Sequence, residues 1–374
     1  MPSVNPPDSL KLLFVSTPVG PLGSGLGGGV ELTLRNIATE LQRRGHHLTI
    51  LAPEGSDLGD LPIAQIPGEL QPTAQTQGRQ TPVTLSANSV LANLWEVARS
   101  RQSEFDLICN FAYDWLPFYL TPFFQRPIAH LVSMGSLSDV MDEIIERVAI
   151  AFPGSIGVHS RAQAETFSFG DRCRCLFNGF DFGAYEFCET PDNTLAWVGR
   201  ISPEKGLEDA VAASQKSGIP LKIFGYLQDK DYWHKIRETY PDAAIAYCGF
   251  LETKQLQREL GRSRALLVTP RWVEAFGNVV VEALACGVPA IAYRRGGPAE
   301  IVIEGETGWL VEPDSVEGLV EAISQLDRLD RRTCRDRAEG QFSVSAMGDR
   351  MEKWFDDLCG EGGVRIENRV DLKL

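Results

Sequence analysis

The sequence predicts an α/β protein with two Rossmann-like parallel-sheet domains. Short apolar runs alternate with stretches of helical periodicity along nearly the whole chain, and this alternation is typical of βαβ units. The length of 374 residues is enough for two domains of about 100–200 residues each. The pattern repeats in the second half, so we expect domains at 1–182 and 183–345. Open sheets of this kind bind ligands at the carboxyl ends of their strands, and we expect the two sheets to face a central cleft.

The first domain begins with a strand, a loop and a helix. The apolar run Leu12–Ser16 predicts the strand, and Thr17–Gly28 predicts a long loop rich in Gly and Pro. The helix that follows ends at Gly45 and has one apolar face, formed by Val30, Leu34, Ile37 and Leu41. The remaining predicted strands are His47–Ala52, Asp106–Asn110, Ile128–Ser133 and, last, Ser155–Val158. The remaining predicted helices are Leu91–Ser100 and Glu143–Val148, and Pro62–Thr84 predicts a loop.

The second domain repeats the alternation and ends with a helix at Ala346–Leu358. Its predicted strands are Thr194–Val198, Leu221–Phe224, Ala244–Tyr247, Ala265–Thr269 and Ala290–Tyr293. Its predicted helices are Gly206–Ser217, Asp231–Glu238, Lys254–Gly261, Val279–Cys286 and Val316–Gln325.

Composition excludes several classes of function. The net charge of −14 argues against nucleic acid and anionic membrane surfaces as partners. The eight cysteines form no C-x-x-C pair, which favours reduced thiols in a cytoplasmic enzyme. The start MPSVNPPDSL has no apolar stretch and predicts no signal peptide. The most apolar region, Leu107–Val132, is interrupted by charges and prolines, so we expect no membrane span.

The stretch from Arg271 to Pro313 is the most informative about function. Glu274 lies in a loop, and Glu282 follows eight residues later inside a helix that the tripeptide FGN opens. A helix N-terminus has free N–H groups and a partial positive charge, which favour a diphosphate. Two carboxylates beside it repel phosphate but accept hydrogen bonds from sugar hydroxyls. This pattern indicates a nucleotide-sugar site.

Two cations follow the first strand of the second domain. In WVGRISPEKG, Arg200 comes directly after the strand and Lys205 comes five residues later. Fixed cations stabilise a diphosphate whose charge grows as the glycosidic bond breaks. An isolated pair of this spacing is more often a pair of solvated surface charges. The two carboxylates downstream favour the catalytic interpretation.

These motifs resemble the donor-site signature of the family-four retaining glycosyltransferases, which have the GT-B fold. Other motifs of that family occur in the same order along the chain, namely GGGVE (Gly27–Glu31), NGFD (Asn178–Asp181), WVGRISPEKG (Trp197–Gly206) and GFL (Gly249–Leu251). The opening FVSTPVGPLGSGLGGGVELTL is similar to cyanobacterial UDP-glucose:tetrahydrobiopterin glucosyltransferases.

The resemblance implies a role for each matched residue. Arg200, Lys205 and Glu274 are expected to be catalytic, with Glu274 against the donor hexose, and Glu282 is expected to bind the ribose. The other expected donor-site residues are Gly27, Gly28, Gly29, Gly249, Phe250, Leu251, Phe276, Gly277 and Asn278. The fold implies that helix 346–358 packs back on the first domain. A loop charge at Glu274 and a carboxylate that complements the helix dipole at Glu282 are the structural alternatives.

The first glycine-rich loop has three interpretations. Gly23, Gly25 and Gly28 satisfy G-x-G-x-x-G, which is the dinucleotide fingerprint. The loop is longer than a tight turn, and the acidic candidate Glu54 comes late, so we favour backbone amides at Gly27–Gly29 that reach a donor phosphate. A glycine-rich turn that caps a helix is the third interpretation.

The acceptor side departs from the family pattern. Relatives usually carry His-Gly where this chain has Met134-Gly135. His130 lies four residues earlier, inside a predicted strand, where a core histidine is the better interpretation than a catalytic base. The acceptor candidates are therefore Tyr113, Asp114, Trp115, His130, Met134 and Gly135. Aromatic rings in this set can stack on a flat heterocycle such as a pterin, although packing in the core is their commoner role.

The resemblance implies a retaining hexosyltransferase, and we expect it to be metal-independent. We expect it to move glucose from UDP-glucose to a small hydroxylated acceptor, with tetrahydrobiopterin as the candidate that the resemblance offers, and to need no cofactor. The string Asp229-Lys230-Asp231 matches a metal motif of a different glycosyltransferase fold, and here we expect it to start a helix. A lipid or sugar acceptor, a non-catalytic nucleotide-sugar-binding protein and an NAD enzyme remain alternatives.

Overall fold

The computed structural model describes residues 9–74 and 78–360. Within them the chain divides into two compact units. Unit 1 contains the residues up to His159, Ala164–Gly179 and those from Met347 onward, and unit 2 contains Ser160–Gln163 and Phe180–Ala346. The first eight residues lie outside the described part. They belong to the segment MPSVNPPDSL, in which we predict no signal peptide.

Unit 1 is built on a sheet whose described strands are all parallel, in the order β3-β2-β1-β4-β5-β6-β7. Helices cover both faces of such sheets, so the strands are almost continuously apolar, as in the buried run Leu12–Val15. The strands are β1 (Lys11–Val15), β2 (His47–Pro53), β3 (Ile63–Ile66), β4 (Leu107–Asn110), β5 (Ile128–Leu131), β6 (Ile156–Val158) and β7 (Arg174–Cys175). The first helices are α1 (Gly29–Arg43), α2 (Val90–Arg101), α3 (Trp115–Leu120) and α4 (Asp139–Ala151).

Unit 2 repeats the architecture with a second parallel sheet, in the order β10-β9-β8-β11-β12-β13 among the described strands. These strands are β8 (Leu195–Val198), β9 (Leu221–Phe224), β10 (Ile245–Gly249), β11 (Ala265–Val268), β12 (Ala290–Tyr293) and β13 (Gly308–Val311). The helices between residues 160 and 343 are α5 (Arg161–Ala164), α6 (Leu207–Ser217), α7 (Lys230–Thr239), α8 (Thr253–Gly261), α9 (Asn278–Ala285), α10 (Pro298–Ile301), α11 (Val316–Ser324) and α12 (Arg331–Phe342).

The last described helix, α13 (Val344–Cys359), belongs to unit 1 from Met347 onward. Its buried residues recur at helical spacing and include Met347, Met351, Trp354 and Phe355. The indole N–H of Trp354 donates a hydrogen bond to the carbonyl oxygen of Gly154 at 2.7 Å. Arg44 at the end of α1 forms ion pairs with Asp349 and Glu352. These contacts attach the end of the described chain to the first sheet.

The structure adds several elements to the predicted order, including the short helices α5 and α10. The predicted loop Pro62–Thr84 contains β3, and β7 follows the strand that we expected to be the last of its sheet. Both strands lie at edges of the sheet and are only partly buried, so neither has the continuous apolar run of a central strand. The strand β13 and the helix α12 were also not predicted, the latter because RRTCRDRAEGQF has almost no apolar face.

Candidate functional site

Both sheets are open and parallel, and sheets of this kind bind ligands at the carboxyl ends of their strands. In unit 2 the chain passes from β8 to β9 on one side, and β11 lies on the other side of β8. The loops after β8 and β11 therefore diverge and leave a crevice, which is the usual ligand position in open parallel sheets. Arg200 and Lys205 lie in the loop after β8, and Glu274 lies in the loop after β11. The three residues predicted to be catalytic thus converge on one edge of one sheet.

A glycine fixes the loop after β8 against the end of β11. The turn Pro203–Lys205 ends at Gly206, whose φ of 63° is in the left-handed region. A Cβ atom at Gly206 would lie 2.0 Å from the carbonyl oxygen of Thr269, so a larger residue does not fit here. The hydroxyl of Thr269 donates a hydrogen bond to the Gly206 carbonyl at 2.8 Å. This contact fixes Lys205 beside the residues that follow β11.

Lys205 and Glu274 form an ion pair between the Lys205 ammonium and Oε2 of Glu274. The indole N–H of Trp272 donates to the same oxygen at 3.0 Å, and the Lys205 nitrogen lies 4.9 Å from the centroid of the Trp272 ring. Burial alone would raise the pKa of Glu274, but Lys205, Trp272 and Arg200 together lower it. Glu274 is therefore a carboxylate at neutral pH, and Trp272 is a site residue that the sequence analysis missed.

Arg200 belongs to the same electrostatic cluster. Its guanidinium donates to the side-chain oxygen of Gln228 at 2.9 Å and lies 3.3 Å from Glu204. Its side chain is 31% exposed, so part of the guanidinium faces solvent. Gln228 follows β9, the strand beside β8, and nothing in its sequence context marks it as a site residue. The carboxyl edge of unit 2 therefore holds two cations, of which Lys205 pairs with Glu274 and Arg200 pairs with Glu204.

Two further glycines, Gly296 and Gly297, hold the loop that carries Glu274. The N–H of Gly297 donates to the carbonyl oxygen of Glu274 at 2.8 Å. A Cβ atom at Gly296 would lie 2.6 Å from the Glu274 backbone, and one at Gly297 would lie 2.4 Å from the Phe276 carbonyl. The turn Gly296-Gly297 therefore packs directly on the backbone of the Glu274 loop and fixes its course.

The helix α9 begins at Asn278, as the sequence predicts. Its N-cap Gly277 has a φ of 97°, and a Cβ atom there would meet the Pro298 ring at 2.8 Å. Phe276, just before the cap, is buried against Phe342 in an edge-on contact at 5.7 Å between ring centroids. The ring and the glycine together direct the N–H groups of the first turn of α9 towards the same edge of the sheet.

Glu282 lies beyond the first turn of α9, so an interaction with the helix dipole does not account for its position. It is only 9% exposed, and burial raises its pKa to about 7. The hydroxyl of Tyr185 donates to its Oε1 at 3.3 Å and lowers the pKa in part. Tyr185 is 97 residues away in the chain, and the sequence analysis did not identify it.

Gly249 is the last residue of the edge strand β10, and Phe250 and Leu251 follow it. The N–H of Gly225 donates to the carbonyl oxygen of Gly249 at 2.9 Å and attaches this loop to the one after β9. Phe250 is 69% exposed, an unusual state for a large apolar ring. The predicted GFL motif therefore presents an aromatic face at the carboxyl edge of the same sheet.

Unit 1 has a cavity of about 240 Å³ at the corresponding edge of its own sheet. It is lined by the loops that follow β1, β3, β4 and β5, and the sheet order places its centre where β1 and β4 diverge. Four predicted acceptor residues line it, and these are Tyr113, Asp114, Trp115 and Met134.

Asp114 is the ionisable acceptor candidate in this cavity. It caps the short helix α3, and its Oδ1 accepts a hydrogen bond from the N–H of Trp115 at 2.9 Å. Burial raises the pKa of Asp114 to about 6, although the N–H groups of Trp115 and Leu116 lower it in part. The indole of Trp115 stacks on Tyr119 with ring centroids 4.5 Å apart. The cavity therefore has a supported aromatic plane beside a carboxyl group.

His130 does not line this cavity, and its burial agrees with the core histidine that the sequence favoured over a catalytic base. It is fully buried, and its two ring nitrogens lie 3.1 Å from the amide of Asn110 and 2.9 Å from the hydroxyl of Thr121. Burial lowers its pKa to about 3, so the ring is neutral. The side chain is a hydrogen-bonded core histidine stacked on Phe118. Gly135 also lies outside the lining, and its carbonyl accepts a hydrogen bond from Tyr113 at 3.3 Å.

The glycine-rich loop after β1 closes on Glu31. The Glu31 carboxylate accepts hydrogen bonds from the N–H groups of Gly23 at 2.8 Å, Gly25 at 3.2 Å and Gly27 at 2.6 Å. The N–H of Gly28 donates to the carbonyl of Gly25 at 3.2 Å. Of the three amides predicted to bind a donor phosphate, that of Gly27 donates to Glu31 in α1 and that of Gly28 donates within the loop. Glu31, the last residue of the GGGVE motif, therefore holds the loop against the first turn of α1.

Two searches of the described residues bear on metals and membranes. Residues 9–74 and 78–360 contain no group of three or more His, Cys, Asp or Glu side chains that could hold a metal ion. Asp229 caps α7 by accepting the N–H of Tyr232 at 2.9 Å, so the D-x-D string starts a helix as expected. No helix in the described part of the chain is long and apolar enough to cross a membrane.

Comparisons with known proteins agree with this geometry. Residues 187–340 match the family model described as glycosyl transferases group 1. The glycogen synthase of Mycobacterium tuberculosis strain H37Rv is 26% identical over 391 aligned positions, which cover 93% of this chain and 91% of the relative. Anabaena Alr3699/HepE in complex with UDP-glucose is 19% identical, with a TM-score of 0.72 over 93% of this chain and 100% of that protein. The sucrose-phosphate synthase of Thermosynechococcus elongatus is 18% identical, with a TM-score of 0.73 over 93% and 99%.

The structural likenesses bear on the fold, and the family match bears on the unit that holds the cation cluster. The fold predicted from the sequence, two Rossmann-like parallel sheets in one chain, is confirmed. The narrower likeness to tetrahydrobiopterin glucosyltransferases is not among these findings. Residues 187–340 are therefore similar to the group 1 glycosyltransferases, and the chain that carries them has the GT-B fold.

Proposed function

We propose that this glycosyltransferase moves glucose from UDP-glucose to a small hydroxylated acceptor, with retention of configuration and without a metal ion. The observation that carries the proposal is the convergence of Arg200, Lys205 and Glu274 at the switch point of the second sheet. A site of this composition suits a sugar joined to a diphosphate, because it offers cations to the phosphates and a carboxylate to the sugar hydroxyls.

Arg200 and Lys205 carry the electrostatic part of the proposed reaction. The diphosphate gains negative charge as the glycosidic bond breaks, so fixed cations stabilise the transition state more than the bound substrate. The ammonium of Lys205 has three donors, and one of them is committed to Glu274. The ion pair therefore orients the ammonium while two donors remain for phosphate oxygens. Glu274 retains an oxygen that can accept a hydrogen bond from the hexose.

Glu282 and Phe250 are the proposed contacts for the nucleoside. A buried carboxyl group that titrates near neutrality is costly to keep as an anion, and two ribose hydroxyls would compensate for that cost by donating to it. The exposed ring of Phe250 can stack on a base. UDP and glucose are proposed because HepE binds UDP-glucose in its structure. The identity of 19% means that this choice needs its own test.

The cavity of unit 1 is the proposed acceptor site. Its volume of about 240 Å³ is below the common range of about 300–1,000 Å³ for ligand pockets, which favours a small acceptor over a lipid or an oligosaccharide. Trp115 offers a flat surface, and Asp114 can accept a hydrogen bond from an acceptor hydroxyl. A reduced pterin with a hydroxylated side chain has both features, so we propose tetrahydrobiopterin as the first acceptor to test.

The proposed chemistry is a front-face substitution. Glu274 is engaged with Lys205 and Trp272, which suits a carboxylate that positions the sugar better than one that attacks it. In a front-face reaction the departing phosphate takes up the acceptor proton, and no enzyme nucleophile is needed. The product then keeps the configuration of the donor.

A product panel tests the proposal. The chain is incubated with several nucleotide sugars, each combined with tetrahydrobiopterin, a simple sugar or a lipid acceptor, and the products are identified by mass spectrometry. We expect a glucosylated pterin from UDP-glucose, with the α-linkage shown by NMR. A glucosylated lipid or sugar would favour the alternative acceptor. Nucleotide-sugar binding without any product would favour the non-catalytic alternative.

A further inference from the structure

Three cysteines of unit 2 lie around one half-buried arginine. Arg331 donates hydrogen bonds to the carbonyl oxygens of Cys188 at 2.7 Å, Gly261 at 2.6 Å and Ser263 at 3.0 Å. The thiols of Cys188, Cys286 and Cys334 are all close enough to interact electrostatically with its guanidinium. The proposed transfer reaction uses none of these thiols, so their grouping needs a separate explanation.

Cys188 and Cys286 are neighbours in space although they are far apart in sequence. The N–H of Cys188 donates to the carbonyl oxygen of Cys286 at 3.1 Å. A Cβ atom at Gly261 would lie 3.4 Å from the Cβ of Cys286 and 3.6 Å from that of Cys188, so both side chains start beside this glycine. This direct backbone contact and the shared neighbour Gly261 bring the two side chains together, and a disulfide joins Cβ atoms about 3.5–4.5 Å apart.

The two thiols differ in access. Cys188 is half-buried and its sulfur donates to the carbonyl of Thr190 at 3.4 Å, whereas Cys286 is fully buried and its sulfur donates to the carbonyl of Gln257 at 3.4 Å. Burial and the nearby Glu282 raise the pKa of the Cys286 thiol to about 12. An external disulfide therefore meets Cys188 first, and Cys286 is placed to displace it.

We propose that Cys188 and Cys286 form a reversible disulfide in an oxidising glutathione pool, and that this bond weakens nucleotide-sugar binding. The Cys188 thiolate attacks oxidised glutathione, forms a mixed disulfide and releases one glutathione thiolate. The Cys286 thiolate then attacks the Cys188 sulfur and releases the second glutathione. Two protein thiols are oxidised, one glutathione disulfide is reduced to two glutathione thiols, and the protein protons go to those thiolates.

The coupling to the donor site follows from chain connectivity and rests on the proposed function. Tyr185 lies three residues before Cys188, and Glu282 lies one helical turn before Cys286. The hydrogen bond from Tyr185 to Glu282 therefore joins the same two segments that the disulfide would join. To reach each other, both sulfurs must leave their carbonyl partners, and the S–S bond then sets the spacing between the segment that carries Tyr185 and α9. Glu282 then loses the position that binding requires.

Peptide mapping tests the bond itself. The reduced full-length chain is incubated with oxidised glutathione, its remaining thiols are alkylated, and the chain is digested without reduction. We expect one linked peptide pair that joins Cys188 to Cys286. The linked pair should be absent from C188S and from C286S. In C286S, glutathione should stay on Cys188. The pair should persist in C248S, which removes an exposed thiol elsewhere in the unit. A digest without the linked pair would overturn the proposal.

Calorimetry with UDP tests the coupling. We expect the Kd for UDP to rise about tenfold in the oxidised chain, the scale of one lost hydrogen bond to a charged group, and to recover on reduction. C188S should bind UDP equally under both conditions. A linked pair with an unchanged Kd would refute the coupling and leave the disulfide in place. Reduced chain that fails to bind UDP would refute the proposed donor instead, and the peptide map would still decide whether the bond forms.

Discussion

Lys205 and Glu274 have the most closely defined contacts in the proposed donor site. They come from loops after different strands, and Gly206, Gly296 and Gly297 place them within contact of each other. The sequence motif identified both residues because the family pattern spans the two loops. Trp272, Gln228 and Tyr185 were missed because each acts through a side-chain contact that no local spacing records.

Replacing Lys205 by Ala should lower kcat by about 10²–10³, the scale of losing one preorganised charge contact in a transition state. KM for the donor should change less, because the charge on the leaving diphosphate grows during the reaction. Steady-state kinetics with the best donor checks this. The matched control is K222A, which removes a lysine paired with Glu259 in the same unit. Turnover that is unchanged in K205A would contradict the electrostatic role.

Glu282 should make stability depend on pH. The pKa of Glu282 in the folded chain is about 7, above the ordinary 4.5. Between pH 4.5 and pH 7, the folded state therefore holds a proton on this carboxyl group that the unfolded state has lost. Stability is therefore lost as the pH rises from about 4.5 to 7, and the full loss is about 3 kcal/mol. E282Q removes the titration, so at pH 8 the variant should be more stable than the natural chain by up to that amount.

Denaturant unfolding at pH 5 and pH 8 checks the prediction for Glu282. The difference between E282Q and the natural chain should be small at pH 5 and large at pH 8. The same variant should bind UDP more weakly, because a neutral amide is a poorer acceptor for ribose hydroxyls. An equal stability difference at both pH values would show that Glu282 does not titrate in this range.

At the scale of elements, the glycine loop after β1 shows how far sequence reasoning reaches. Its length and its start before α1 were predicted, but not the use of its amides. Three N–H groups converge on Glu31, a contact that depends on positive φ values at Gly23 and Gly25. Strands such as β1 and β8 were predicted because their apolar runs are buried on both faces. The edge strands β3, β7 and β13 are only partly buried, so they lack that signal.

E31A should destabilise unit 1 by about 1–3 kcal/mol, because the N–H groups of Gly23 and Gly27 lose a charged acceptor in hydrogen bonds that are partly buried. The melting temperature should fall clearly, whereas E96A, which removes an exposed helix ion pair with Arg99, should change it little. Scanning calorimetry checks both variants. A melting temperature of E31A equal to that of E96A would show that the loop does not depend on this carboxylate.

At the scale of the whole molecule, each unit has its own switch point with a different chemistry. Unit 2 holds two cations that pair with carboxylates, and unit 1 holds an aromatic cavity with a carboxyl group. The alternation of apolar and helical segments was enough to predict two parallel sheets. It was not enough to predict the cavity, because loops after four different strands line it.

Because the cations lie in unit 2 and the glycine-rich loop lies in unit 1, we expect the chain to bind UDP and not NAD. UDP at about a hundred times its Kd should stabilise the chain by about 2.7 kcal/mol, and NAD at the same concentration should not. The reason is that the fingerprint amide of Gly25 donates to Glu31 and that of Gly28 donates within the loop, whereas the cations of unit 2 face solvent in part. A thermal shift assay with both nucleotides checks this. Stabilisation by NAD alone would favour the dinucleotide alternative.

The most direct measurement is a crystal structure of the chain with UDP-glucose. The account predicts the diphosphate within hydrogen-bonding distance of Arg200 and Lys205, the hexose against Glu274 and the ribose against Glu282. A nucleotide bound elsewhere, with the Lys205–Glu274 pair facing only water, would contradict it.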